Sequence, residues 1–174
     1  MAKTQQTKNL EKWLWQNKAT KHSTWGVYEV TFGDRDLRKK DGFRERVDFM
    51  TAENSAKGMV FRTYELKISL EDFRTKAAKS FVGDYGYFVM PYAVWQVIPV
   101  AELQPYYDQG IGVITPDAPD GKVGVIKAKH LKAANREAQG LPLYSTQDLM
   151  ETMMKSAVRE QNKLYKLKGR GYWE

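Results

Sequence analysis

The sequence predicts one α+β domain, an α/β arrangement of layers in which a mixed central β-sheet contains an antiparallel meander and is flanked by helices. Along residues 25–68, apolar and polar side chains alternate between turn signals, which is typical of successive antiparallel strands. From residue 69 the apolar residues follow the spacing of a helix. Amphipathic segments near both ends of the chain predict helices that cover the sheet. At 174 residues, the chain is long enough to bury a core as a single domain, 1–174.

The first part of the chain predicts a basic helix followed by three strands. Residues 5–18 place Leu10, Trp13 and Leu14 on one helical face, with lysines elsewhere. Three later segments are rich in β-branched and aromatic residues, which favour strands, and short turns such as Asp41-Gly42 separate them. The predicted strands are 25–33, 43–50 and 59–68.

The second part of the chain alternates helices and strands. Ser69 has Asp72 three residues later, the pattern of a helix N-cap, and predicts a helix from Leu70 to about Ser80. Residues 85–91 predict a buried strand that Pro91 ends, whereas "AVWQVIPVAEL" fits either a short helix or a loop. Two short strands, "GIGVI" and "KVGVIKAK", follow.

The most regular pattern is a basic C-terminal helix over 146–167, capped by Ser145 and Asp148. Its apolar side is predicted to be buried. This side comprises Leu149, Met150, Met153, Met154, Ala157, Val158 and Leu164.

Composition excludes several classes of site. The chain has no cysteine, so a disulfide scaffold and a thiolate site are excluded, and two histidines are too few for a histidine-rich zinc centre. The N-terminal residues lack the apolar core of a signal peptide, and no apolar run approaches the roughly 18 residues of a membrane helix. These features predict a soluble, intracellular protein without a membrane partner.

Charge is unevenly distributed along the chain. The net charge is +7; residues 1–25 carry +4 and residues 121–174 carry +6, whereas residues 26–120 carry −3. Basic flanks around an acidic centre suit a protein that attracts a polyanion such as DNA and offers it metal-binding carboxylates. The alternative is an ordinary solvated surface.

Charged residues interrupt the third predicted strand at Glu65 and Lys67. Residues two apart share a strand face, so Thr63, Glu65 and Lys67 lie together, opposite Tyr64, Leu66 and Ile68. A hairpin with the preceding strand brings Asp48 near Glu65, and two close carboxylates repel unless a cation separates them. Oxygen ligands suit Mg²⁺ or Mn²⁺, and a neighbouring lysine can orient water. The alternative is a cross-strand pair on a solvated face.

The stretches "ERVDFM" and "YELKISLEDFRTKAAKSFVGDYGYFVMP" resemble the PD-(D/E)xK nuclease superfamily, and more closely the MmcB-like DNA-repair nucleases of bacteria and related small phage proteins. In that group a second-strand acid precedes a third-strand Glu–(Ile/Val/Leu)–Lys–(Val/Ile)–Ser motif and a helix with Asp-Phe. The resemblance covers residues 27–114, and Val47 replaces the proline of the superfamily's name. It implies a restriction-endonuclease-like core.

The resemblance also implies roles for individual residues. Asp48 and Glu65 would be metal ligands, Lys67 the catalytic lysine, and the backbone carbonyl of Leu66 a further metal ligand. Many members carry an earlier acid; Glu29 is the better candidate for it, because a strand beside Asp48 can present it to the metal, and Glu11 is the second. Tyr28 and Val30 are expected to be the buried neighbours of Glu29, which would itself face the other way.

Basic side chains predict where DNA would lie. Arg74, Lys76 and Lys79 follow the site, and the tail "KLKGRGYWE" adds aromatic residues for stacking. A second set is spaced by four, four and three along the last helix and forms one stripe: Lys155, Arg159, Lys163 and Lys166. The alternative for this stripe is a solvated face opposite a methionine-rich core. A set of aromatic residues is expected in the core and not as platforms for base stacking: Trp13, Trp15, Tyr85, Tyr87 and Trp95.

The sequence thus predicts a Mg²⁺- or Mn²⁺-dependent deoxyribonuclease, an endo- or exonuclease of DNA repair, recombination or phage DNA processing. One alternative is a DNA-binding or accessory protein of the same fold that lacks activity. Another is a phage protein that acts through protein contacts. A homodimer is compatible with the nuclease interpretation, because cutting both strands often uses two sites.

Overall fold

The computed structural model of the protein describes residues 3–33, 44–75, 79–122 and 124–168. Six strands and six α-helices follow one another in the described chain, and a π-helical turn, Trp15–Ala19, extends the first helix. The elements are α1 (Gln5–Leu14), β1 (Thr24–Gly33), β2 (Arg44–Ser55), β3 (Gly58–Leu66), α2 (Leu70–Arg74), β4 (Tyr85–Val89), α3 (Tyr92–Val97), α4 (Val100–Asp108), β5 (Gly112–Ile114), β6 (Gly124–Ile126), α5 (Ala133–Glu137) and α6 (Thr146–Lys168).

The strands form one mixed sheet in the order β1-β2-β3-β4-β5-β6. β1, β2 and β3 are an antiparallel meander, β3, β4 and β5 run parallel, and β6 returns antiparallel to β5. The parallel pairings need crossovers, which α2 supplies between β3 and β4, and α3 and α4 between β4 and β5. The predicted mixed α+β class, with its meander and flanking helices, is confirmed.

Helices cover both faces of the sheet. On one face, Leu10 and Leu14 of α1 pack with Phe49, Tyr64 and other residues of the central strands. On the opposite face, one cluster joins α6 to β1 and β2, and another joins α2, α3 and α4 to β4 and β5. The central strands are therefore covered on both sides, and Glu65, the residue before the last of β3, lies in the protein interior.

Two predicted helices differ from those in the structure. The cap of α2 is as predicted: the Ser69 hydroxyl accepts a hydrogen bond from Asp72 N at 3.1 Å, and Asp72 Oδ2 accepts one from Ile68 N at 3.0 Å. The helix nevertheless ends at Arg74, because Thr75 has an extended ψ of 147°. The ambiguous segment after Pro91 forms two short helices, α3 and α4.

The predicted apolar side of α6 is only partly buried. Leu149 and Met153 are buried against β1 and β2, but Met154, Val158 and Leu164 are 65%, 54% and 59% exposed. The prediction that these three residues lie in the core is wrong, because the sheet covers only one side of the helix. In the part of the chain that the structure describes, none of the helices has the length and hydropathy of a membrane span.

Candidate functional site

Asp48 and Glu65 meet where β2 and β3 separate. The last pair of the ladder between these strands is Phe49 with Tyr64, and the next position in register would pair Asp48 with Glu65. Instead of a further backbone pair, Asp48 Oδ2 accepts a hydrogen bond from the amide of Leu66 at 2.9 Å. The carboxylate of Asp48 thus holds the end of β3 and lies beside Glu65, as the hairpin predicted.

Glu65 of β3 and Lys67, directly after the strand, lie in the interior on the same face as Thr63. Glu65 is 3% exposed, Lys67 6% and Thr63 0%. Tyr64 and Leu66 point to the opposite face and pack with α1, which confirms the predicted alternation. The alternative interpretation, a cross-strand pair on a solvated face, is therefore wrong.

The carboxylate of Glu65 is only partly satisfied. The backbone amide of Ser80 donates a hydrogen bond to it, but Oε1 is buried and has no hydrogen-bond partner. Burial raises the pKa of Glu65 well above its usual value, the charge of Asp48 raises it further, and Lys67 opposes both effects. One oxygen of ionised Glu65 therefore lacks the hydrogen bond that a buried polar atom requires.

Asp48 is in a similar electrostatic position. Burial raises its pKa, whereas the Leu66 amide, Lys67 and Arg46 lower it, and the charge of Glu29 raises it again. Among the groups that shift these two pKa values, Lys67 is the one ammonium, and its charge lowers the pKa of both Asp48 and Glu65. Two carboxyl groups with raised pKa values, side by side, form a site that attracts a cation.

Glu29 lies beside this pair at a break in β1. Its φ of 55° is left-handed, and the β1–β2 ladder pairs the residues on either side of Glu29 and Asp48 but not these two. The break shifts the alternation of the strand: Tyr28 packs on the face of α1, whereas Val30 packs on the face of α6. The expectation that Tyr28 and Val30 share one buried face is wrong.

Two cationic side chains, one of β2 and one that precedes α1, lie beside Glu29. Its carboxylate is 3.2 Å from Arg46 Nη1 and 3.4 Å from Lys3 Nζ. Lys3 also forms an ion pair and hydrogen bond with Glu11, the second candidate for the early acid. Of Glu29 and Glu11, it is Glu29 whose charge raises the pKa of Asp48.

Two carboxylates suit a magnesium or manganese ion whose remaining ligands are water molecules. They are too few to surround an ion with protein ligands alone. No three histidine or acidic side chains of the described residues converge closely enough to hold a metal ion. Mg²⁺ and Mn²⁺ commonly use one or two carboxylates and complete their coordination with water. The unpartnered Oε1 of Glu65, next to Asp48, is the atom that such an ion would satisfy. The role of the Leu66 carbonyl stays a prediction.

The basic residues predicted to follow the site differ in their surroundings. Lys79 lies near the site: its Nζ donates to Thr75 O at 3.3 Å, and its pKa is lowered by burial and by the charge of Lys67. Arg74 instead forms two hydrogen bonds with the carboxylate of Glu102, at 3.0 and 2.6 Å. Lys76 lies outside the described residues.

The predicted basic stripe on α6 is largely engaged by the protein itself. Arg159 donates a hydrogen bond to the backbone carbonyl of Glu29 and thereby stabilises the break in β1. Lys155 pairs with Glu151 and Lys163 with Glu160, each at 2.8 Å. Of the tail residues, Arg170, Tyr172 and Trp173 lie outside the described chain, as does the side chain of Lys168.

Sequence reasoning missed two residues of the site. Arg46 acts on both carboxylates, and its position two residues before Asp48 on the same strand was the signal for it. Ser80, whose amide binds Glu65, carries no local signal, because the contact joins β3 to a distant connecting segment.

Comparisons with known proteins add no function. No family model matches the chain, and no curated protein matches it. A solved structure of a protein of unknown function from Silicibacter pomeroyi is similar at 21% identity, covering 88% of this chain and 87% of that chain, with a TM-score of 0.46. The function proposed below is therefore derived from the side chains of the site.

Proposed function

We propose that the protein is a metal-dependent deoxyribonuclease with a restriction-endonuclease-like core. The observation that carries the proposal is the arrangement of Asp48, Glu65 and Lys67 at the point where β2 and β3 separate, with Oε1 of Glu65 buried and unpartnered. This arrangement costs folding energy without a cation, and it offers the ligands for one. The resemblance of residues 27–114 to PD-(D/E)xK nucleases supports the same chemistry.

Each residue of the site has a role in phosphodiester hydrolysis. Asp48 and Glu65 would hold Mg²⁺ or Mn²⁺, with the Leu66 carbonyl as a further ligand, and Glu29 would add negative charge at the outer side of the site. The bound ion would supply Lewis-acid stabilisation and acidified water. The ammonium of Lys67 orients the attacking water and stabilises the negative charge that develops on the phosphoryl oxygens.

We propose that the protein cleaves DNA in the cytoplasm of a bacterium or a phage-infected cell. The process would be DNA repair, recombination or phage DNA processing. Among the described basic side chains of α6, Lys155, Arg159 and Lys163 are already engaged with protein groups. This favours an enzyme with a local catalytic site over a protein that binds DNA along a preformed basic stripe.

The test is cleavage of labelled linear, circular and branched DNA with Mg²⁺ or Mn²⁺. Glu65→Gln and Lys67→Met remove the proposed ligand and ammonium with little change in volume, and each should lower the rate by about 100-fold or more. Glu137→Gln and Lys12→Met are matched controls on exposed helical positions and should keep full activity. Equal activity in Lys67→Met and the wild type, or absence of cleavage of every substrate by the wild type, would contradict the proposal.

A further inference from the structure

A second concave site lies on the face of the sheet opposite Glu65. Its cavity has a volume of about 500 Å³ and opens between the end of the π-helical turn and strands β2, β3, β4 and β6. Tyr64 and Tyr87 line it, and both pack on the face covered by α1, whereas Glu65 points to the other face. The cavity is therefore separate from the proposed catalytic site.

Positive charge dominates the lining of this cavity. Among the described residues that line it, four are cationic, and Glu53 is the one carboxylate. Arg62 forms a salt bridge with that carboxylate, so Glu53 does not compensate the lysines. The cationic residues are Lys18, Lys21, Arg62 and Lys127.

The cations are held together at an electrostatic cost. Burial lowers the pKa of Lys18, and the like charges of Lys21 and Arg62 lower it further. Cations that repel one another around a cavity favour an anionic occupant, because an anion offsets both the repulsion and the lost hydration. A purely structural arrangement would be more stable with the positive charges dispersed.

The tyrosine hydroxyls make the cavity rich in hydrogen-bond donors. Tyr64 and Tyr87 both line the cavity, and because a phenol is protonated at neutral pH each can donate a hydrogen bond. A side-chain hydrogen bond joins Arg62 to Tyr87; the guanidinium can only donate, so the phenolic hydrogen remains available to a ligand. The rings of Tyr64 and Tyr87 stack on each other with centroids 5.4 Å apart and form the aromatic side of the cavity.

We propose that this cavity binds the phosphate group of a nucleotide. Lysine, arginine and phenol donors around a cavity with an aromatic wall match a phosphate oxyanion attached to a base and sugar. The volume lies within the range of about 300–1,000 Å³ that is usual for small-molecule sites. The phosphate belongs to a free nucleotide or to a nucleic-acid strand. The proposal does not depend on the nuclease function.

The test measures phosphate binding in metal-free buffer, where no metal-dependent cleavage occurs. dAMP and deoxyadenosine are titrated by isothermal calorimetry, and a fluorescent single-stranded oligonucleotide by anisotropy. The double variant Lys18→Gln/Lys21→Gln removes two cavity cations. Lys8→Gln/Lys12→Gln removes two exposed charges of α1, neither of which lines the cavity, and is the matched control.

We expect the wild type to bind dAMP at least tenfold more tightly than deoxyadenosine. The cavity variant should lose about tenfold or more in affinity, and the control less than twofold. Binding of the oligonucleotide but not dAMP, with the same loss in the cavity variant alone, would assign the phosphate to a strand. Arg62→Lys keeps the charge but loses the guanidinium fork and should also weaken binding. Equal losses in the cavity variant and the control, or no binding of either probe, would overturn the proposal.

Discussion

Replacement of Glu65 by glutamine should stabilise the metal-free protein. Glutamine has nearly the same shape and keeps an oxygen to accept the hydrogen bond from the Ser80 amide. Its amide nitrogen can donate to the carboxylate of Asp48, which now repels Glu65. A buried polar atom without a partner costs about 1–3 kcal/mol, and Oε1 of Glu65 is such an atom. In a domain of this size 1 kcal/mol shifts Tm by about 2–4 °C, so a rise of roughly 2–12 °C is expected at pH 8.

The gain should depend on pH. The pKa of Glu65 is raised in the folded state, so folding favours its protonated form. Its contribution to the free energy of unfolding is therefore complete below the unfolded pKa of about 4.3 and is lost as pH rises through the folded value. The variant lacks this loss, so the difference in Tm between Glu65→Gln and the wild type should widen from pH 5 to pH 8.

Metal should reverse the order of stability. Mg²⁺ or Mn²⁺ binds the folded wild type and raises its Tm according to the ratio of metal concentration to Kd. Glu65→Gln has lost one of the two anionic ligands and should respond much less. The assay is differential scanning fluorimetry with and without metal, and Glu137→Gln, an exposed change of the same charge, should behave as the wild type. A metal-free Glu65→Gln protein that melts below the wild type at pH 8, or that gains as much from metal, would refute this reasoning.

Three further substitutions test contacts around the site. Arg136→Met leaves buried Glu45 without the partner that lies 2.6 Å away and should cost about 3–5 kcal/mol in urea unfolding; a cost under 1 kcal/mol would contradict a buried pair. Arg159→Ala removes the hydrogen bond to the Glu29 carbonyl and should cost about 1–3 kcal/mol of stability, which a residue that only contacts DNA would not. Ser69→Ala removes the cap of α2 and should lower the free energy of unfolding by about 1 kcal/mol, whereas Ser69→Thr should retain most of it.

The sequence was sufficient for features that depend on local periodicity. The alternation of β3 placed Glu65 and Lys67 on one face and Tyr64 and Leu66 on the other, because a strand has a fixed period of two residues. The cap formed by Ser69 was equally local. The same periodicity identified α6 but not how much of its apolar side is buried, because that depends on the width of the sheet against which it packs.

The parts that the sequence could not supply depend on long-range contacts. Nothing in "VYEV" signals a left-handed residue, because Glu29 is not a glycine, and the break is held by Arg159 from the far end of the chain. The hydrogen bond from Ser80 to Glu65 crosses the connection between α2 and β4. The engagement of the basic residues of α6 likewise became visible only once their acidic partners were positioned.

The buried charges at the point where β2 and β3 separate have a thermodynamic consequence for function. Apolar residues of similar volume at positions 48, 65 and 67 would remove the desolvation of three charged groups and would often give a more stable protein. The chain instead holds Asp48 against the Leu66 amide and Glu65 against the Ser80 amide, so that both carboxylates are fixed in place while Oε1 of Glu65 stays unpartnered. Fixed ligands lose little conformational entropy when a cation binds, and that cation removes their mutual repulsion. The same two carboxylates thus lower the stability of the metal-free protein and provide its affinity for a cation. Metal affinity should therefore rise with pH over the range in which the two carboxyl groups ionise.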